Sequence, residues 1–258
     1  MKSVLSYLSS LKCIWDFRML SVNLLSFFVL AVSALTRGHI DGISMLAQAI
    51  GGVRIADYSD SLPMIPIAAW LFLISVYLLN AAVFIENEVS VMGVYVIPRY
   101  SSYRKWWMNK ASQLFVLTVC FSASCIACIF VLLRVLPSVQ FNWNDANELP
   151  FSYLLLLTHM VFLGTLLLCS FLLTHSRMLS FLSVIALEGS TMLVGISQKT
   201  IGCFLPGMWG MYLRSSYSDD LNGFKPAAVI AVQLVVIGVI LVLFPVLLRK
   251  KGTAALIS

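Results

Sequence analysis

Charge is what this sequence has least of. Only 11% of its 258 residues are Asp, Glu, Lys or Arg, and the acids number 11. A soluble domain carries about a quarter of its residues as charges, so this composition excludes an ordinary water-facing surface. Histidine is scarcer still, at three (His39, His159 and His175), scattered over different parts of the chain. No H-E-x-x-H helix, G-x-S-x-G turn or G-x-x-x-x-G-K-[ST] phosphate loop occurs. Zinc hydrolysis, serine hydrolysis and nucleotide hydrolysis by this chain itself lose their usual machinery, and the reading is not an enzyme, with no catalytic residues. Six cysteines are present. Cys120, Cys125, Cys128 and Cys169 fall inside apolar runs. Cys125-Ile-Ala-Cys128 has C-x-x-C spacing but no second pair and no neighbouring His, so these read as small packing residues, and no metal site is expected.

Apolar residues fill the deficit. They make up 60% of the chain, and the mean hydropathy is +0.94. They gather into uninterrupted runs of about the 20 residues that a helix needs to cross a bilayer. The alternating ten-residue segments of a membrane β-barrel do not fit. The expected fold is an all-α membrane protein forming one transmembrane domain, with spans at about 19–36, 63–85, 112–136, 151–174, 179–198 and 226–248. Six crossings put both termini on one side. With the N-terminus in the cytoplasm, that side collects Lys2, Lys12, Arg18, Arg99, Arg104, Lys105, Lys110, Arg177, Arg249, Lys250 and Lys251 out of 17 cations. The positive-inside rule therefore predicts N-in, C-in in the cell membrane. The net charge of +6 reads as this topology signal rather than as a nucleic-acid patch. Lys2, Lys12 and Arg18 before the first run, with Ala31-Val32-Ser33 inside it, could suggest a signal peptide, but the apolar part is longer than a usual h-region and reads as an uncleaved anchor.

Segments between the runs are unequal. SVLSYLSSLKCIWDF places Val4, Leu5, Leu8, Leu11, Ile14 and Trp15 near helical spacing, which suits an amphipathic interfacial helix over 1–18; a polar leader is the plainer alternative. Lys199–Lys225 contains IGCFLPGMWGMYLRSS, apolar and aromatic yet interrupted by Gly202, Pro206, Gly207 and Gly210. It reads as a broken re-entrant segment, or else as a surface loop with Trp209 and Tyr212 at the interface. Within the spans, Glu188 is an expensive mid-membrane carboxylate, and His159 on the preceding span is its candidate partner. The plain alternative is a neutral Glu hydrogen-bonded in the bundle. Small residues at Ser122, Ala123, Ser124, Ala127 and Cys128, and at Gly189, Ser190 and Gly195, predict close helix approach.

The longest inner loop, Glu86–Ala111, holds IPRYSSYRKWWMNK. Pro98 disfavours helix at Ile97, and Ser101 or Ser102 can cap a new helix running into the third span. Arg104, Lys105 and Lys110 then hold its end on the cytoplasmic side, with Trp106 and Trp107 at headgroup level.

This layout resembles the transmembrane subunit of an ABC-2 type transporter. The run Pro98-Arg99-Tyr100-Ser101-Ser102-Tyr103-Arg104-Lys105-Trp106-Trp107, followed by Lys110, is similar to a PR-x-x-S-R-x-K-W pattern in small permeases of peptide and bacteriocin export or immunity systems. The resemblance implies a separate ATPase subunit carrying ATP and magnesium, with no cofactor bound by this chain, and a second copy of the permease. It implies a coupling segment in the first cytoplasmic loop, with Glu86, Asn87, Glu88, Arg99 and Tyr100 as contacts and Met92 and Tyr95 packing beneath. It also implies that Asn23, Phe27, His159, Glu188, Pro206, Trp209 and Tyr212 line the path of a peptide, lipid or drug. Two other readings stay open: an ion-coupled carrier or a non-transporting immunity or scaffold protein, in which Glu188 is the key residue, and a membrane enzyme.

Overall fold

A computed structural model describes residues 17–35, 41–53, 64–88, 103–136, 139–141, 148–197, 202, 204–216 and 223–251. Among these the chain is helical, with two isolated β-bridges and no strands. The helices are α1 (Phe17–Leu35), α2 (Gly42–Ile50), α3 (Met64–Glu86), α4 (Tyr103–Val135), α5 (Glu148–Thr174), α6 (Arg177–Ser197) and α7 (Pro226–Lys251). Two 3-10 turns, Pro206–Met208 and Tyr212–Arg214, fill the space before α7.

Five helices, α3 to α7, are long and apolar enough to cross a membrane, which makes this a multi-pass membrane protein. The apolar part of α1, Met19–Leu35, is about 26 Å long at about 1.5 Å per residue. It is at the short end of what covers about 30 Å of hydrocarbon. The expected spans start and end within a few residues of these helices except the third: α4 begins at Tyr103, not near Ser112, and runs 33 residues. The interfacial helix expected over 1–18 lies almost wholly outside the described residues.

Local sequence explains the helix ends. Asp41 caps α2, its carboxylate accepting the Ser44 amide at 2.8 Å, and Gly51 closes the helix before Gly52 turns the chain at φ 84°, a conformation that glycine adopts without strain. Only His175 and Ser176 separate α5 from α6, and His175 takes the left-handed φ of 53° that reverses the chain. Pro226 opens α7, where its missing N–H costs nothing.

Helix α5 is the centre of the bundle and packs against α2, α3, α4, α6 and α7. Gly164 makes this possible: a Cβ there would meet the Tyr77 hydroxyl of α3 and lie 3.2 Å from Leu114 of α4. Tyr77 and Thr118 share a 2.8 Å hydrogen bond that ties α3 to α4. By contrast Gly189 has nothing within 4 Å, so the close approach expected there is absent, whereas Gly195 does face the Met208 side chain at 2.6 Å.

The two ends of the bundle differ. At one end α2, residues 139–141 and the 3-10 turns form a cap stitched by backbone hydrogen bonds: Gly42 N to Gln140 O (2.7 Å), Leu213 N to Gly51 O (3.0 Å) and Phe224 N to Arg214 O (3.2 Å). The opposite end carries two acid–base ion pairs instead.

Candidate functional site

Three polar groupings stand out among the buried and half-buried side chains. The first is deepest. His159 on α5 and Glu188 on α6 are both wholly buried, with Nε2 and Oε1 3.0 Å apart. Their other polar atoms, His159 Nδ1 and Glu188 Oε2, have no hydrogen-bond partner in the protein, and neither has Nε1 of Trp70, whose ring stacks on His159 with centroids 6.5 Å apart. Buried polar atoms of this kind normally find partners. The pair is therefore joined through one hydrogen bond and leaves one polar atom on each residue open to a further partner.

The cap presses on this pair. Gly207 sits against α6 so closely that a Cβ would lie 2.6 Å from Glu188 O and 2.7 Å from Met192 N. Its amide donates to Thr191 Oγ1 at 3.0 Å. Gly210 rests on the His159 ring, where a Cβ would meet Cδ2 at 2.6 Å. Trp209 packs on Phe162 (5.7 Å), which packs on His159 (6.4 Å). Behind them, Arg214 donates through Nη2 to Gly195 O at 3.2 Å, satisfying a carbonyl in the last turn of α6 and placing a cation at the negative end of that helix. Pro206, Trp209, His159 and Glu188 thus belong to one neighbourhood. Tyr212 stands beside it over Leu155, Phe224 and Val229. Helix α7 adds Gln233, one turn beyond Val229, wholly buried with neither amide atom partnered.

The second grouping is the charged end. Helix α3 continues past Glu86 through one wide turn at residues 87–88. Arg177 Nη1 meets Glu86 Oε2 at 2.5 Å, and Lys110 pairs with Glu88 while also donating to Gln113 Oε1 at 3.1 Å. Side-chain exposure decides which pair carries more weight. It is 40% and 37% for Arg177 and Glu86, against 6% and 16% for Lys110 and Glu88. The exposed pair contributes at most about 1 kcal/mol, and the buried one is the stronger brace. Asn87 is exposed; Met92, Tyr95, Arg99 and Tyr100 lie outside the described residues.

The residues expected to anchor α4 divide by exposure at this end. Arg104 and Lys105 are exposed, whereas Trp106 and Trp107 are wholly buried inside the bundle. The cause is in α7. Pro245 has no N–H for the carbonyl four residues back, which is Leu241 O, and Trp107 Nε1 donates to that carbonyl at 3.2 Å. The Trp107 ring packs on Phe244 with centroids 5.2 Å apart. Lys110, likewise, is buried and spends its charge on Glu88.

The third grouping joins α1 and α3. Asn80 Nδ2 donates to Asn23 Oδ1 at 2.8 Å. Asn23 and Phe27 line a cavity of about 350 Å³ between α1 and α4, separate from the His159 neighbourhood. Of the residues that the resemblance places on one path, Asn23 and Phe27 lie here, and His159, Glu188, Pro206 and Trp209 lie at the first grouping.

No protein-family model, curated protein or solved structure matches this chain. Function therefore rests on the residues themselves. Among the described residues no three His, Cys, Asp or Glu side chains gather as metal ligands would. Sequence reasoning missed Trp70, Asn80 and Gln233. Each was legible only as a lone polar group or ring in an apolar run. It also missed the Glu88–Lys110 and Glu86–Arg177 pairs, which join residues 22 and 91 positions apart.

Proposed function

We propose that this chain is the permease subunit of an ATP-driven exporter in the cell membrane, working as a pair of copies with a separate ATPase that holds ATP and magnesium. Its cargo is an amphipathic or hydrophobic peptide, or another apolar molecule. The charged end faces the cytoplasm with both termini, and α1 supplies the sixth crossing.

The observation that carries this reading is the braced end. Glu88–Lys110 ties the last turn of α3 to α4, and Glu86–Arg177 ties α3 to the start of α6. Residues 89–102 connect two helices that are already locked together. A partner pushing on that connection displaces α3, α4 and α6 as a unit, rather than bending a loop. ATP drives such a displacement by binding its two conformations with different affinity. At the far end, α6 carries the load to Glu188 and to the 3-10 turns seated on it, a broken segment of the kind tolerated at membrane depth only when buried in protein.

A second reading rests on the His159–Glu188 pair: an ion-coupled carrier that moves a proton on these residues. In that case Glu188→Gln abolishes transport with no ATPase present.

The chain is purified from its native membrane under mild detergent and assayed for bound ATP hydrolysis. The permease reading predicts an ATP-hydrolysing subunit that is lost when residues 89–102 are replaced by a Gly-Ser linker of equal length. A chain that purifies alone, or keeps its ATPase after that replacement, would falsify the coupling role.

A smaller effect is expected at the more exposed pair. Arg177→Ala lowers stability by at most about 1 kcal/mol, measured by thermal unfolding in detergent.

A further inference from the structure

The cavity between α1 and α4 has a composition that the export reading does not use. Its wall is apolar, built from Leu20, Leu24, Phe27, Phe121 and Val131, with no charged side chain in the lining. Leu24 and Val131 are exposed at 45% and 58%, so it opens sideways, toward whatever surrounds the bundle. Asn23, only 2% exposed, is set into this wall. Its Nδ2 has no hydrogen-bond partner in the protein.

Neighbouring bonds fix which atom of Asn23 is left without a partner. Asn80 Nδ2 is 2.8 Å from Val76 O, a carbonyl that can only accept, so that atom is a nitrogen. The same nitrogen lies 2.8 Å from Asn23 Oδ1, which must therefore be the oxygen. Flipping either amide would set like atoms against each other. Asn23 is thus left with an N–H donor and no protein acceptor.

We infer that this groove holds an acyl chain of a diacyl glycerolipid from the surrounding bilayer, with Asn23 Nδ2 donating to its ester carbonyl. An ester is acceptor-only and uncharged, which matches a single donor in a wall without cations. A fatty-acid carboxylate would be buried with no counter-charge. A peptide would bring an N–H for each carbonyl, and the Ser124 hydroxyl, itself donating to Cys120 O at 2.7 Å, is the one strong acceptor the lining offers. Asn23 pairs with Asn80, six residues before Glu86, which places the donor about 9 Å from the ion-paired end at about 1.5 Å per residue. From there the groove follows α4 toward Val131, along the direction an acyl chain takes. At about 350 Å³ it is in the range of small-molecule sites.

The test needs neither ATP nor a partner, so its outcome is independent of the export reading. The protein is placed in nanodiscs containing equal amounts of diester and diether phosphatidylglycerol with identical chains. It is then released for native mass spectrometry, and retained lipids are counted. Wild type is expected to retain the diester about fivefold over the diether, roughly what one hydrogen bond contributes. Asn23→Leu erases that preference. Ala127→Phe, at an exposed wall position, fills the groove and removes the retained lipid without touching the Asn pair. Equal retention of diester and diether by wild type overturns the proposal. So does an unchanged preference in Asn23→Leu, or undiminished retention in Ala127→Phe.

Discussion

His159→Leu is expected to destabilise the protein by about 1–3 kcal/mol, the usual cost of leaving a buried hydrogen-bonding group without its partner. The pair has no exposure to water, and Glu188 Oε2 already has no protein partner. Removing the imidazole leaves both carboxyl oxygens of Glu188 without a protein partner. Glu188→Gln should cost far less, because an amide at the same place still hydrogen-bonds His159 Nε2. The double change His159→Leu/Glu188→Leu is expected to be milder than His159→Leu alone, since no polar group is then left stranded. Chemical or thermal unfolding of the purified protein measures all three. A double variant as unstable as the sum of its singles would show that the two side chains do not act as a pair.

The second large effect is at the cap. Gly207→Val should lift the 3-10 turns from α6, because its Cβ would fall 2.6 Å from Glu188 O and 2.7 Å from Met192 N. Both are backbone atoms of a helix, and neither can move aside as a flexible side chain would. Overpacking of this kind costs about 1–3 kcal/mol, and here it also breaks the Gly207–Thr191 hydrogen bond. A reporter cysteine at Met208, buried in the wild type and introduced into a cysteine-free protein, is expected to react with a membrane-permeant maleimide at least about tenfold faster. Two glycines of α6 serve as controls. Gly195→Ala meets the Met208 side chain at 2.6 Å, which can yield, and should have a smaller effect. Gly189→Ala meets nothing within 4 Å and should be neutral or gain up to about 1 kcal/mol in helix propensity.

Much of the helix layout was legible because membrane crossing imposes a length and a composition that no other constraint blurs. Runs such as Met64–Glu86 and Pro226–Lys251 announce themselves, and Pro226 and His175–Ser176 mark where chains must turn. Glu188 was legible for the same reason: a carboxylate in an apolar run has few explanations. What could not be read was long-range. The rule that reads Trp106 and Trp107 as interfacial anchors is local and does not reveal that both rings are buried inside the bundle. The carbonyl that Trp107 satisfies is set free by Pro245, more than a hundred residues away in sequence. Lys110 is legible as a cation flanking a span, but its pairing with Glu88, 22 positions away, is not. The donor of Asn23 is defined by Asn80 on another helix, so its role could be stated only once α1 and α3 were seen together.

The central claim is that the ion-paired end transmits force from a partner ATPase, and a charge swap tests it most directly. ATP hydrolysis by the co-purified complex in nanodiscs is compared for wild type, Glu88→Lys, Lys110→Glu and the double swap Glu88→Lys/Lys110→Glu. The account predicts that each single reversal lowers the rate at least about fivefold and that the swap, which restores the pair, recovers most of it. Single reversals with wild-type rates, or a swap no better than either single in a complex that remains assembled, would contradict it.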